Sequence, residues 1–114
     1  MWKIATTEEY DVWFENLDVP EKIEILAKVE LLKEYGPHLS RPHADTLNGS
    51  KFANMKELRA KTSAAAIRIA FAFDPNRSAI LLIGGDKSGV GQKRFYKQLI
   101  ALADRLFREH LKRL

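Results

Sequence analysis

The chain has 114 residues, no cysteine and a formal net charge of +4, which excludes disulfides and thiolate metal sites and bounds the molecule at one domain, residues 1–114. Hydrophobic residues make up 46%, enough for a single core and too many for a disordered chain. No apolar run approaches the ~18 residues of a membrane helix, and MWKIATTEEYD carries acids where an export signal carries apolar residues, so a cytoplasmic location and no membrane partner are expected.

In chain order, Trp2–Thr6 reads as a short strand. Thr6 or Thr7 can cap a helix with Glu8 and Glu9 in its first turn, where acids are favoured. That helix runs to about Leu17 and gathers Tyr10, Trp13, Phe14 and Leu17 on one face. Asp18-Val19-Pro20 ends it and opens a second helix, because Pro suits a first turn. There Ile25, Leu26, Val29 and Leu32 recur at helical spacing. Gly36-Pro37 closes it. Residues 37–51 read as loop, with an Asn48-Gly49 turn.

Three strands are predicted next. The first is Phe52–Arg59. In Ala65–Phe73, Ile67, Ile69, Phe71 and Phe73 alternate with Arg68, Ala70 and Ala72. Asp74-Pro75-Asn76-Arg77 is a turn with Pro75 preset at its second position. Ala79–Ile83 is continuously apolar and therefore interior. A final helix, Gln92–Arg113, carries two apolar stripes: Leu99, Leu102 and Leu106, and Ile100, Phe107 and Leu111. The order β-α-α-β-β-β-α predicts an α+β domain, a small and mostly antiparallel sheet with the helices on one face and the other face partly open.

Charge is unevenly placed. Residues 1–35 hold nine acids and four bases, a net of −5, and residues 36–114 hold six acids and fifteen bases, a net of +9. A basic two-thirds of this kind suits a polyanion. Alternation sets Arg68 on the open sheet face and puts Glu57 and Arg59 on a common face of the preceding strand. Arg68 is then either an anion ligand or the cross-strand ion-pair partner of Glu57.

The stretch IGGDKSGVGQKRFY, Ile83–Tyr96, fits neither a P-loop, since Gly89 is followed by Val90 rather than Lys, nor a dinucleotide fingerprint. It presents Asp86, Lys87, Lys93 and Arg94 and then Phe95 and Tyr96, the mixture of cations and aromatics that RNA backbone and base stacking require. His38, His43 and His110 have no metal-ligand spacing. No metal and no cofactor are expected. Basic side chains can catalyse one reaction unaided: RNA cleavage by the substrate's own 2′-hydroxyl. That chemistry needs in-line positioning, charge neutralisation at phosphorus and proton transfer, the last by a tyrosine or a lysine of lowered pKa. Arg59, Arg68, Lys56, Lys87 and Tyr96 suit those roles.

The run NMKELRAKTSAAAIRIAFAFDPNRSAILLIGGDKSG, with FYKQLIALADRLFREHL after it, resembles the RelE/ParE superfamily of bacterial toxins. The likeness is to its HigB-type, phage Gp49-like branch and extends from Tyr35-Gly36 to His110-Leu111. The resemblance implies a RelE-like fold and the toxin of a type II toxin–antitoxin system. The expected activity is that of a metal-independent, ribosome-dependent mRNA endoribonuclease that stops translation. The implied partners are mRNA, the ribosome and a HigA-like helix-turn-helix antitoxin, with operator DNA bound only through the antitoxin complex. By position, the resemblance assigns Arg68, Lys87 and Tyr96 to catalysis and Lys56, Arg59, Lys93 and Arg94 to RNA binding. The loop between Gly85 and Tyr96 is longer than in short RelE proteins. The alternative is a ParE-like toxin that poisons DNA gyrase by contact.

Overall fold

The computed structural model describes residues 1–114 as a three-layer α+β domain. The elements are β1 (Lys3–Thr6), α1 (Glu8–Glu15), α2 (Val19–Tyr35), β2 (Ala44–Thr46), β3 (Lys56–Lys61), β4 (Ala66–Phe73), β5 (Ser78–Asp86) and α3 (Gln92–Lys112). They build one five-stranded sheet in the order β1-β5-β4-β3-β2. The β1–β5 pair is parallel and the other three pairs are antiparallel.

Local chemistry accounts for the helix starts. Thr7 caps α1 by accepting from the Tyr10 amide. Asp18 and Glu21 form a reciprocal capping box at the start of α2, with Pro20 in its first turn. Gly36 ends α2 at φ +54°, and a Cβ there would lie 2.2 Å from the Trp2 indole nitrogen, so glycine answers both a left-handed backbone and a close approach.

The predicted single layer of helices is corrected here. Helices α1 and α2 cover one face, burying Tyr10, Ile25, Val29 and Leu32 against Leu58, Ile67, Ile69, Phe71 and Leu81. Helix α3 covers the other face, with Phe95, Leu99, Ala103, Leu106 and Phe107 on Ala70, Ala72, Ile80 and Leu82. The reason lies in β4 and β5. Their second set of side chains, Ala70, Ala72, Ile80 and Leu82, is as apolar as the first, and a sheet apolar on both faces needs a layer on each. The residues exposed along α2 include Leu26, 53% accessible, which the helical pattern had grouped with the core.

Three strand assignments also differ from expectation. The strand expected over Phe52–Arg59 is Lys56–Lys61, because residues 52–55 form a turn in which the Met55 amide donates to the Phe52 carbonyl at 3.1 Å. Ala44–Thr46, read as loop, pairs with Leu58–Lys56 as an edge strand. Three residues are too few to display alternation, and the pairing comes from β3. Gly84, Gly85 and Asp86, read as the start of a loop, continue β5 against Ile69, Arg68 and Ile67. A β-bulge between Ala70 and Phe71 leaves Leu82 without an opposite residue. It shifts the phase of the remainder of β5. Gly84 then faces α1, where a Cβ would strike Trp13 at 2.2 Å, and Gly85 faces Phe95 of α3.

Candidate functional site

At the end of the sheet where α3 begins, the α3-facing surface carries charge instead of core. Glu57 and Arg59 lie two residues apart on β3 and so share a face. Arg68 of β4 is directly opposite Arg59. Glu57 sits diagonal to that pair and balances it, with Oε1 3.7 Å from Arg68 Nε and Oε2 4.0 Å from Arg59 Nε. The N-terminal part of α3 adds Tyr96, whose hydroxyl donates to Glu57 Oε1 at 2.7 Å. Lys87, immediately after β5, holds its ammonium 6.0 Å from the centre of the Tyr96 ring.

Arg68 does not stand on an open, solvated face as expected. It is 7% exposed, because the start of α3 roofs the position that alternation gives it. One guanidinium nitrogen donates to the Ile67 carbonyl at 2.9 Å. Nε has no hydrogen-bond partner, since 3.7 Å to Glu57 is attraction without a hydrogen bond. The ion-pair reading of Arg68 is the one observed: it is paired with Glu57, and it keeps a buried donor unused.

The other sequence candidates divide. Arg59, Arg68, Lys87 and Tyr96 are brought together. Lys56 is not: it shares the face of Leu58 and Ala60 and borders a separate surface hollow beside Arg41 and Asp45. Strand alternation alone excludes it from the face of Arg59. Lys93 and Arg94 are exposed on the first turn of α3, where neither forms a hydrogen bond or an ion pair. Asp86 serves the turn after β5, accepting from the amides of Ala66 and Ser88 at 3.0 and 2.9 Å.

Comparison with known proteins decides the family. The sequence model for the phage-derived protein Gp49-like family (DUF891) matches residues 12–108. The chain belongs to the Gp49-like family. Two relatives in Mycobacterium tuberculosis are named as candidate toxins. HigB2 is 42% identical over 108 residues, 94% of this chain and 53% of the relative. HigB3 is 48% identical over 92 residues, 81% of this chain and 78% of the relative. The chain thus spans about half the length of HigB2. Among solved structures, a double arginine mutant of the Escherichia coli toxin RelE in the free state superposes with a TM-score of 0.64 at 10% identity, over 88% of this chain and 94% of that one. RelE of Pyrococcus horikoshii, solved with RelB, gives 0.57 at 12% identity, over 78% and 98%. The Gp49-like chain therefore has the RelE fold and HigB relatives.

The electrostatics of the Gp49-like cluster follow from its packing. Burial, then the charges of Arg68 and Arg59, hold the Lys87 ammonium below the ordinary lysine range, with Glu57 pulling the other way. Burial, then the hydrogen bond to Glu57 and its charge, push the Tyr96 phenol up, opposed by Arg68. Tyr96 is therefore a neutral donor, and Lys87 gives up its proton more readily than an exposed lysine. Glu57 is the residue that sequence reasoning undervalued. It was visible only as a possible ion-pair partner, and its bond to Tyr96 spans 39 positions in sequence.

Proposed function

We propose that this chain is the toxin of a type II toxin–antitoxin pair and acts as a metal-independent, ribosome-dependent mRNA endoribonuclease. The observation that carries the reading is the convergence of Arg59, Arg68 and Lys87 with the Tyr96 hydroxyl around one carboxylate, Glu57. Three cations around one carboxylate leave a net positive site. A neutral tyrosine and a lysine of depressed pKa then sit beside the place a phosphate would take.

In the reaction, Arg59 and Arg68 hold the non-bridging oxygens of the scissile phosphate and offset the charge that builds on phosphorus. Lys87, in its neutral form, takes the proton of the 2′-hydroxyl. The 2′-oxygen then attacks phosphorus and the bond to the 5′-oxygen breaks. The products are a 2′,3′-cyclic phosphate and a 5′-hydroxyl end, the departing oxygen taking its proton from solvent. Glu57 keeps the two arginines together despite their like charge. Tyr96 holds Glu57 and offers a ring for base stacking. The HigB names of the relatives and the pairing of RelE with RelB support a cognate antitoxin as partner.

Primer extension on a defined mRNA, with and without translating ribosomes, tests the activity. Cuts at codon boundaries that require ribosomes and vanish in Lys87→Ala are expected. Lys87 is the suitable variant because its side chain makes no hydrogen bond on which folding depends. Undisturbed translation without cuts would remove the nuclease reading, and a gyrase supercoiling assay would follow.

A further inference from the structure

The free edge of β3 beyond its pairing with β2 borders a hollow of about 410 Å³, open to solvent. Four cations line it: Lys28 of α2, Arg59 and Lys61 of β3, and Arg68 of β4. A single acid, Glu24, lies among them, one helical turn before Lys28. Lys28 comes from the acidic third of the chain. Its ammonium is held by His43, with Nζ 2.8 Å from Nδ1. An ammonium only donates, so the ring nitrogen accepts, and Lys28 is held by a partner that brings no negative charge; it forms no ion pair with a carboxylate. Arg68, which borders the same hollow, is nine-tenths buried and its Nε has no hydrogen-bond partner.

Glu57 pairs with Arg59 and Arg68, but Lys28 and Lys61 add two further charges to the same rim against Glu24 alone, and an anion relieves the repulsion that results. The hollow is distinct from the position served by Lys87. From the end of β5 to the outer edge of β3 is two strand spacings, roughly 10 Å, more than one phosphate spans. Arg59 and Arg68 lie between the two positions and border both.

We propose that this hollow binds a second phosphodiester of single-stranded RNA, adjacent to the cleaved one, with Lys28 and Lys61 as its ligands and His43 as the residue that positions Lys28. The RNA backbone then crosses the sheet from Lys87 over the two arginines to the edge of β3 and ends beneath α2. The inference rests on the RNA reading above and adds the direction of the strand and two ligands from outside the basic cluster.

The test is fluorescence anisotropy with a 2′-O-methyl RNA oligonucleotide, which cannot be cleaved, titrated at several salt concentrations. Lys28→Ala is expected to weaken binding about 5–10-fold and to lower the log–log salt slope by about 0.7, the loss of one phosphate contact on a single strand. Lys28→Arg should restore most of the affinity. Glu24→Gln should tighten binding, a change of opposite sign that damage to the fold would not produce. Wild-type affinity and slope in both Lys28→Ala and Glu24→Gln would overturn the proposal, as would an oligonucleotide that fails to bind the native chain. Displacement of the oligonucleotide by micromolar inorganic phosphate would also overturn it, since the hollow would then be a small-anion site. Binding that depends on Lys28, in a protein that cuts no mRNA, would leave this proposal standing and remove the nuclease reading instead.

Discussion

Tyr96 and Glu57 are joined by a 2.7 Å hydrogen bond, and through it the start of α3 is fastened to the third strand at the point where two arginines meet. The same carboxylate oxygen faces Arg68 Nε. One side chain therefore sets the roof of the site and the charge balance beneath it.

Tyr96→Phe separates the two roles assigned to the tyrosine. The ring and its contact with Lys87 remain, and Glu57 loses a donor while buried. Loss of such a bond costs about 1–2 kcal/mol, which a domain of this size shows as a fall in melting temperature of ~5–10 °C. Cleavage in the phenylalanine variant should stay within about tenfold of wild type. Tyr96→Ala also loses base stacking, worth ~1–3 kcal/mol per base, and should lose roughly 10–100-fold. Single-turnover rates on programmed ribosomes, read beside thermal melts, check this. Equal losses in both variants would mean that the hydroxyl, not the ring, matters to RNA.

The pH profile should report Lys87. Its pKa is lowered, so the neutral fraction that accepts the 2′-proton grows as pH rises and levels off below the pH at which an exposed lysine would titrate. The log of the cleavage rate should therefore climb with pH across the range that ribosomes tolerate. Glu57 opposes the lowering, so Glu57→Gln should move the climb to lower pH, and Lys87→Ala should flatten it. A profile that falls with rising pH would instead make the charged lysine the active form.

Asp74 provides a handle on stability that is separate from the site. Its carboxylate accepts from the amides of Asn76 and Ser78, both at 3.0 Å, and pairs with His110 Nε2 at 2.9 Å, tying the β4–β5 turn to the end of α3. Burial works to raise its pKa, but the bonds from His110, Ser78 and Asn76 together win, and the group stays below the ordinary aspartate value. A carboxylate whose folded pKa is depressed adds stability that is complete above its unfolded pKa of about 3.9 and is lost as pH falls through the folded value. Asp74→Asn should lower the melting temperature near pH 7 and flatten its decline between about pH 5 and pH 3. Melts across that range decide it, and an unchanged acid limb would show that other carboxylates govern it.

Much of this fold could be read from residue spacing, and the reasons are local. Thr7, Asp18, Pro20 and Gly36 announce helix ends through groups within four residues of themselves. Asp74-Pro75-Asn76-Arg77 does form the predicted turn, with the Arg77 amide donating to the Asp74 carbonyl at 2.9 Å. What escaped was non-local. The strand character of Ala44–Thr46 is conferred by β3, and that of Gly84–Asp86 by β4. The second helical layer follows from Ala70, Ala72, Ile80 and Leu82 being apolar together, which shows only once β4 and β5 are set side by side. At the site, alternation correctly grouped Glu57, Arg59 and Arg68. The same rule, applied one residue earlier, removes Lys56. The reach of Lys28 into the arginine edge has no short-range signature, because α2 and β3 are brought together only by the core between them.

The bulge at Ala70 and Phe71 makes the position of the site a matter of counting. Leu82 is the extra residue, and because the bulge absorbs it, Gly85 rather than Gly84 lies beside Arg68. Were β5 paired at its full length without the bulge, Gly84 would come opposite Arg68 and everything beyond it would turn over. Lys87 would then swing to the α1 side, away from both arginines. The irregularity itself therefore keeps the lysine in place: loss of Leu82 would restore an even ladder with the same partners, whereas ironing out the bulge at full length would carry the lysine to the opposite surface of the protein.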